Sequence, residues 1–162
     1  MHAISQSAIW VKEPLADTGV VIVTSAALPK YLIDKLHMEI DDWDQVAYLV
    51  VQQSRAFMLD WLQFGANPID TAPATTCRAS QLLRGVSKGC FLLDVEVSPI
   101  PRLTWLGSVC GHPLRVLKLE DAASHAAIDK QVEEILSVTR TLVKKRVARA
   151  LFHLAKVIAT YA

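Results

Sequence analysis

Apolar residues recur at steps of three and four from Ile128 to Ile158, the longest regular pattern in the chain. Ile128, Val132, Ile135, Leu136, Val143, Val147, Leu151, Leu154 and Ile158 fall on one stripe at 3.6 residues per turn, which predicts a single helix over 128–161. Ala148, Phe152, Ala155 and Ala159 widen that stripe in its second half. A face so broad has to be covered, by the rest of the domain or by another subunit. Glu120, Asp121 and Ser124 offer caps for its start.

Upstream, Ala8 to Lys12 reads as a short edge strand ended by Glu13-Pro14, and Asp17-Thr18-Gly19 as a turn. The uninterrupted run Val20 to Thr24 predicts a strand buried on both faces. Pro29 suits the first turn of a helix running to about Ile40. Asp42 and Gln45 have capping-box spacing, so a second consecutive helix is expected there. Its face would be Trp43, Val46, Ala47, Val50, Phe57, Met58, Trp61 and Leu62, and Gly65 with Asn67-Pro68 would stop it. Tyr48, Leu49 and Leu59 fall off that face. The small, polar, proline-bearing stretch 69–80 predicts a flexible loop, and Gln81 to Val86 one or two helical turns.

From Cys90 the period changes to two. Phe91, Leu93, Val95 and Val97 alternate with Leu92, Asp94 and Glu96, which predicts a strand with one buried and one wetter face. Leu103, Trp105, Gly107 and Val109 predict a second strand with a bulge at Gly107, and Leu114 to Leu119 a third. The fold class is therefore α+β in a single domain over 1–162. Two consecutive helices and an antiparallel sheet of three or four strands would pack against the long C-terminal helix.

Composition adds one point of interest. At 52% hydrophobic, 20% charged and a mean hydropathy of +0.29, the chain is apolar for its 162 residues. Either the core is unusually large or an apolar surface awaits a partner. A net charge of +1 gives no global field towards nucleic acid or anionic lipid. The first residues lack the basic and apolar segments of a signal peptide, and no apolar run approaches a membrane span. Cys77, Cys90 and Cys110 are odd in number and widely spaced, which fits a reducing, cytoplasmic compartment.

Four groups of residues carry candidate chemistry. Lys145, Arg149, His153 and Lys156 share one narrow face of the long helix, and Arg78, Arg84 and Lys88 lie near Gly85 and Gly89. Such basic residues can neutralise phosphates, although the acidic-then-basic order along the helix also satisfies its dipole. Asp94 and Glu96, two apart on a strand, point to the same face and invite a divalent metal or acid–base chemistry, against the simpler expectation of a solvated strand face. Cys77, Cys90, Cys110 and His112 lack the C-x-x-C pair of a zinc site. Most aromatics fall on apolar stripes, whereas Trp10 and Tyr48 stand off them as candidate surface contacts.

No motif names a reaction, so no catalytic residue, metal or cofactor is assigned. The first expectation is a non-catalytic interaction or regulatory protein, a homodimer or a binder of a protein partner, with Tyr48, Leu59 and Phe152 on the contact surface. The alternative is an accessory nucleic-acid-binding protein, possible DNA included, using Lys145, Arg149, Lys156, Arg78, Arg84 and Lys88. A third, a metal-dependent enzyme, would rest on Asp94, Glu96 and His112.

Overall fold

The computed structural model describes residues 6–66 and 76–161. Strand β1 (Ala8–Lys12) and strand β2 (Val20–Ser25) precede helix α1 (Lys30–Ile40), and strand β3 (Val46–Val51) precedes helices α2 (Ser54–Ala66) and α3 (Arg78–Leu83). Strand β4 (Phe91–Glu96), a 3-10 helix (Thr104–Ser108) and strand β5 (Leu114–Lys118) lead into helix α4 (His125–Tyr161). The strands form one mixed sheet in the order β1-β3-β2-β4-β5, in which only the β1–β3 pair is antiparallel. The α+β class and the long terminal helix stand.

The expected antiparallel sheet is replaced by a mostly parallel one, because helices carry the chain back between successive strands. The same layering changes the reading of β4. All six of its residues are buried, as are those of β3, since a parallel strand is covered on both faces. On one face, Val20, Ile22, Tyr48, Phe91, Leu93 and Val95 meet Leu32, Leu36 and Ile40 of α1 and Ile128, Val132, Ile135 and Leu136 of α4. On the other, Val21, Val23, Leu49 and Leu92 meet Phe57 of α2, Leu82 and Leu83 of α3, and Leu103 and Leu106 around the 3-10 helix.

Two elements differ from their predicted type for identifiable reasons. The second consecutive helix was expected from Trp43, but Val46 to Val51 is β3. Its three- and four-step spacing arises by chance within a continuous apolar run, and burial of both faces decides for the strand. The Asp42/Gln45 capping box is instead a turn, in which Val46 N–H donates to Trp43 O and Trp43 Nε1 donates to Gln45 Oε1. The helix begins only at Ser54. Likewise, Leu103 to Val109 is no strand. Leu103 and Leu106 are buried and Val109 is half-buried, a spacing of three that suits the 3-10 helix. Trp105 then stacks on Trp61, centroids 4.9 Å apart, and meets the Phe57 ring edge-on.

Other boundaries follow the sequence. β1 is an edge strand and α1 ends at Ile40. Ser124 caps α4, its Oγ accepting from Ala127 N–H. Of the loop expected at 69–80, residues 69–75 lie outside the described residues. Thr76 and Cys77 lead directly into α3, where Cys77 Sγ accepts from Ser80 N–H. α4 is tied to α1 by Asp129, which accepts from Tyr31 Oη at 2.9 Å and from Lys35 Nζ at 2.7 Å. Those two donors hold the Asp129 carboxyl below its ordinary range.

Candidate functional site

Helix α4 has 37 residues, about 55 Å at 1.5 Å per residue, which is far longer than the sheet it crosses. Its first half behaves as an ordinary core helix, burying Ile128, Val132, Ile135, Leu136, Thr139, Leu142 and Val143. The last residue with substantial cover is Arg146. Its stem passes where a side chain at Gly19 would stand, its guanidinium lies against Gly89, and Nη2 donates to Lys88 O at 3.0 Å. Gly89 has φ +79°, a conformation that glycine adopts without strain. These two glycines at the amino ends of β2 and β4 make the channel through which Arg146 fastens the helix.

Beyond it, every residue from Val147 to Tyr161 is exposed. Seven of them are large and apolar: Val147, Leu151, Phe152, Leu154, Val157, Ile158 and Tyr161, with between 40% and 87% of their surface in water. Val147, Leu151, Leu154, Ile158 and Tyr161 alternate steps of four and three. That is the spacing of a seam between two helices packed at a shallow angle. Arg149 and Lys156 fall at the heptad position farthest from the seam, and Ala148, Ala150, Ala155 and Val157 flank it.

The predicted basic residues separate into two sets. Arg149 lies over the Phe91 ring at 5.0 Å, and Lys88 adjoins Arg146, so both belong to the base of the free helix, where Arg115 joins them at 6.0 Å from the same ring. Lys145 and Lys156 are exposed on the same helix, Lys156 over the Phe152 ring at 4.9 Å. Arg78 does not belong here. Its Nη2 donates to Ala8 O on the opposite face of the sheet, beside α2 and α3, and Arg84 immediately follows α3.

Of the predicted contact residues, Phe152 is 65% exposed on the free helix and Leu59 is 41% exposed on α2, on the other side of the sheet. Tyr48 is corrected. It is fully buried in β3 and its hydroxyl bonds Thr24 Oγ1 at 2.7 Å, so its position off the predicted helical stripe reflected a strand, not a surface. Trp10 is half-buried against the α2 side of the sheet.

The acidic pair overturns the expectation of a solvated strand face. Asp94 is wholly buried and Glu96 is 6% exposed, because β4 is an inner strand. Glu96 Oε1 accepts from Arg102 N–H at 3.1 Å, whereas neither carboxyl oxygen of Asp94 accepts from an N–H among the described residues, and the Glu96 carboxyl adjoins it. Burial first, and then the adjoining Glu96 carboxyl, push Asp94 up to about 8. At neutral pH the pair therefore holds a proton that two exposed carboxylates would not.

Above the pair, at the carboxyl ends of β2 and β4, is a crevice of about 190 Å³ lined by Ser25, Leu28, Ser54, Glu96, Ser98 and Arg102 among others. Here the chain order reverses, with β3 on one side of β2 and β4 on the other. Such a switch point is where open α/β sheets hold ligands. His112 is buried with neither ring nitrogen bonded, but no group of three or more His, Cys, Asp or Glu converges among the described residues. Cys77 and Cys90 are buried and unpaired and Cys110 is exposed.

No protein-family model and no curated protein matches this chain. The crevice was missed in the sequence because Ser25, Ser54 and Glu96 are brought together only by parallel pairing. The free helix was legible, since its apolar stripe outruns the amount of domain available to cover it.

Proposed function

We propose that this chain is a non-catalytic interaction or regulatory protein that self-associates as a homodimer, the free half of α4 pairing with that of a second copy. The observation that carries the reading is the run of exposed apolar residues from Val147 to Tyr161 beyond the anchor at Arg146. An unpartnered helical extension of this length is marginal in water, and pairing along it would stabilise it. A second copy fits because the seam is self-complementary and the like charges of Arg149 and Lys156 sit on its far side. Burying seven part-exposed side chains on each copy yields roughly 10–15 kcal/mol for the pair, at about 1 kcal/mol each. Set against an association cost of about 4–15 kcal/mol, the balance supports a dimer in the micromolar range or weaker. A cytoplasmic setting belongs to this reading and is supported by three unpaired cysteines.

Light scattering on a sizing column, from 1 to 100 µM on the order of the expected Kd, tests it. A dimer insensitive to salt that Leu151→Glu reduces to monomer is expected. A strict monomer across that range overturns the reading.

A second reading, nucleic-acid binding, is favoured by one observation. Lys88, Arg115, Arg146 and Arg149 gather at the base of the free helix, and none forms an ion pair with an acidic side chain among the described residues. Its signature is an affinity for DNA or RNA that falls linearly in log–log form with salt, with a slope reduced by about 1 per basic residue removed. Salt-insensitive or absent binding removes it.

A further inference from the structure

Where the free half of α4 leaves the body, the face that carries its seam borders an open groove of about 500 Å³. Val147 and Ala150 form the helical side, and the turns at Ala16–Asp17 and Asp44–Gln45 form the opposite wall. That wall is braced. Gly19 N–H donates to Gln45 O at 2.8 Å, Thr18 Oγ1 to Asp44 O at 3.4 Å, and the Arg146 stem packs where a side chain at Gly19 would stand. The groove is apolar at Ala16, Val147 and Ala150 and polar at its rim, where Asp17 and Asp44 are exposed and in no ion pair among the described residues. Lys12 feels the field of Asp44 but gives its ammonium to the Ile40 and Trp43 carbonyls. Arg146, also at the groove, turns its guanidinium away to Lys88 O.

On the basis of the self-association proposed above, we infer that this groove seats the last turn of a second copy's α4, Tyr161 foremost, and that the two helices therefore run antiparallel. Setting Leu154 against its own counterpart places Leu151 opposite Ile158 and Val147 opposite Tyr161, so all five seam residues meet apolar partners. Tyr161 then arrives beside Val147 and Ala150. At 87% it is the most exposed large side chain of the free helix, with an apolar ring for the groove's floor and a hydroxyl that can donate to the Asp17 or Asp44 carboxylate on its rim. A parallel pair is sterically opposed. Val147 would face Val147, and the partner's helix at the level of the groove would be the stretch already clad by its own wall, just above the buried Leu142 and Val143. Charge selects the same orientation. From Lys145 to Tyr161 the helix carries Lys145, Arg146, Arg149 and Lys156 and no acid. Parallel pairing crowds the cationic bases of both copies, with Lys88, Arg115, Arg146 and Arg149 of each, at one end. Antiparallel pairing separates those bases by about 20 Å, roughly two Debye lengths. It also lays the cationic tip of each helix beside the acidic wall of the other. Such rim charges discriminate between arrangements and add little affinity.

Double electron–electron resonance on the full chain tests orientation and pairing separately. With the exposed thiol removed by Cys110→Ser, spin labels are attached at Lys145→Cys or at His153→Cys, both exposed positions, and distances are read at about 100 µM, above the expected Kd. Antiparallel pairing about Leu154 sets the two Lys145 sites about 27 Å apart along the axis and the two His153 sites within about 3 Å of one level. With about 8–10 Å between helix axes and the label arms added, a distance above about 30 Å from Lys145→Cys and one below about 25 Å from His153→Cys are expected. Short distances from both sites mean a parallel dimer, which overturns the groove as a seat and leaves self-association standing. No dipolar coupling from either site means a monomer, and both fall. Ala16→Trp probes the groove itself, filling it from an exposed turn without altering the seam. It should raise the dimer Kd by about tenfold or more, while thermal melting of the dilute protein shows the fold intact. An unchanged Kd in a folded Ala16→Trp chain overturns the seat.

Discussion

Replacing Asp94 by asparagine should make the protein more stable at slightly alkaline pH, although it alters a fully buried side chain on an inner strand. The sign follows from the direction of the shift. The Asp94 carboxyl is raised from its ordinary 3.8 to about 8, so between those values the unfolded chain has lost a proton that the folded chain retains. Stability therefore falls as pH rises through that window, by at most about 1.4 kcal/mol per pH unit, or at most roughly 6 kcal/mol in all. Asparagine carries no charge, and its amide can donate to the Glu96 carboxylate. Allowing for local rearrangement around the ionised pair, Asp94→Asn should gain about 2–4 kcal/mol over the natural chain at pH 8. Near pH 4.5 the two should agree within about 1 kcal/mol. The assay is urea unfolding followed by circular dichroism at several pH values, comparing midpoints at constant slope. A natural chain whose stability is flat or rises from pH 5 to 8, or an asparagine variant less stable at pH 8, would refute the reasoning.

Further outcomes can be checked with the same protein. Leu151→Glu combined with Ile158→Glu should abolish the proposed self-association while moving the melting temperature of the monomer by no more than about 2 °C, because both residues are exposed. Gly89→Ala should cost about 1–2 kcal/mol in chemical unfolding, since alanine is strained at φ +79°. Asp129 is held below the ordinary carboxyl range by Lys35 and Tyr31, so its contribution is present above about pH 4 and lost as pH falls below. The stability gap between the natural chain and Asp129→Asn should therefore close in acid unfolding. A thiol reagent at pH 8 should modify Cys110 first and leave Cys77 and Cys90 slow, burial having pushed the Cys90 thiol up to about 12. Equal rates for all three thiols in the folded chain would contradict the burial.

What could be read from the sequence depended on whether one neighbour or two covers an element. α4 and α1 each bury one face, and their stripes placed them correctly at Ile128 to Tyr161 and up to Ile40. β3 is covered twice, so Val46 to Val51 carried no period of its own and was absorbed into a helical pattern. β4 shows the same difficulty in another form. Its alternation of Leu93 and Val95 with Asp94 and Glu96 resembles a half-solvated strand, and only parallel pairing with β2 and β5 reveals that the acids are inside. The serines of the crevice lie on separate loops, far apart in sequence, and carry no signal until the strand order is known. The exposure of Phe152 agrees with its place on the widened stripe of the long helix; the burial of Tyr48 was not legible, because its environment depended on the type of the element that holds it.

The two outer strands restrict the ways in which copies of this chain can meet. β1 breaks register between Trp10 and Lys12, which interrupts the row of backbone groups that an added strand would pair with. At the opposite border β5 is only five residues long, and its one large exposed apolar residue, Val116, lies between Arg115 and Lys118. Both borders are poor templates for backbone pairing, which disfavours growth of the sheet into fibrils.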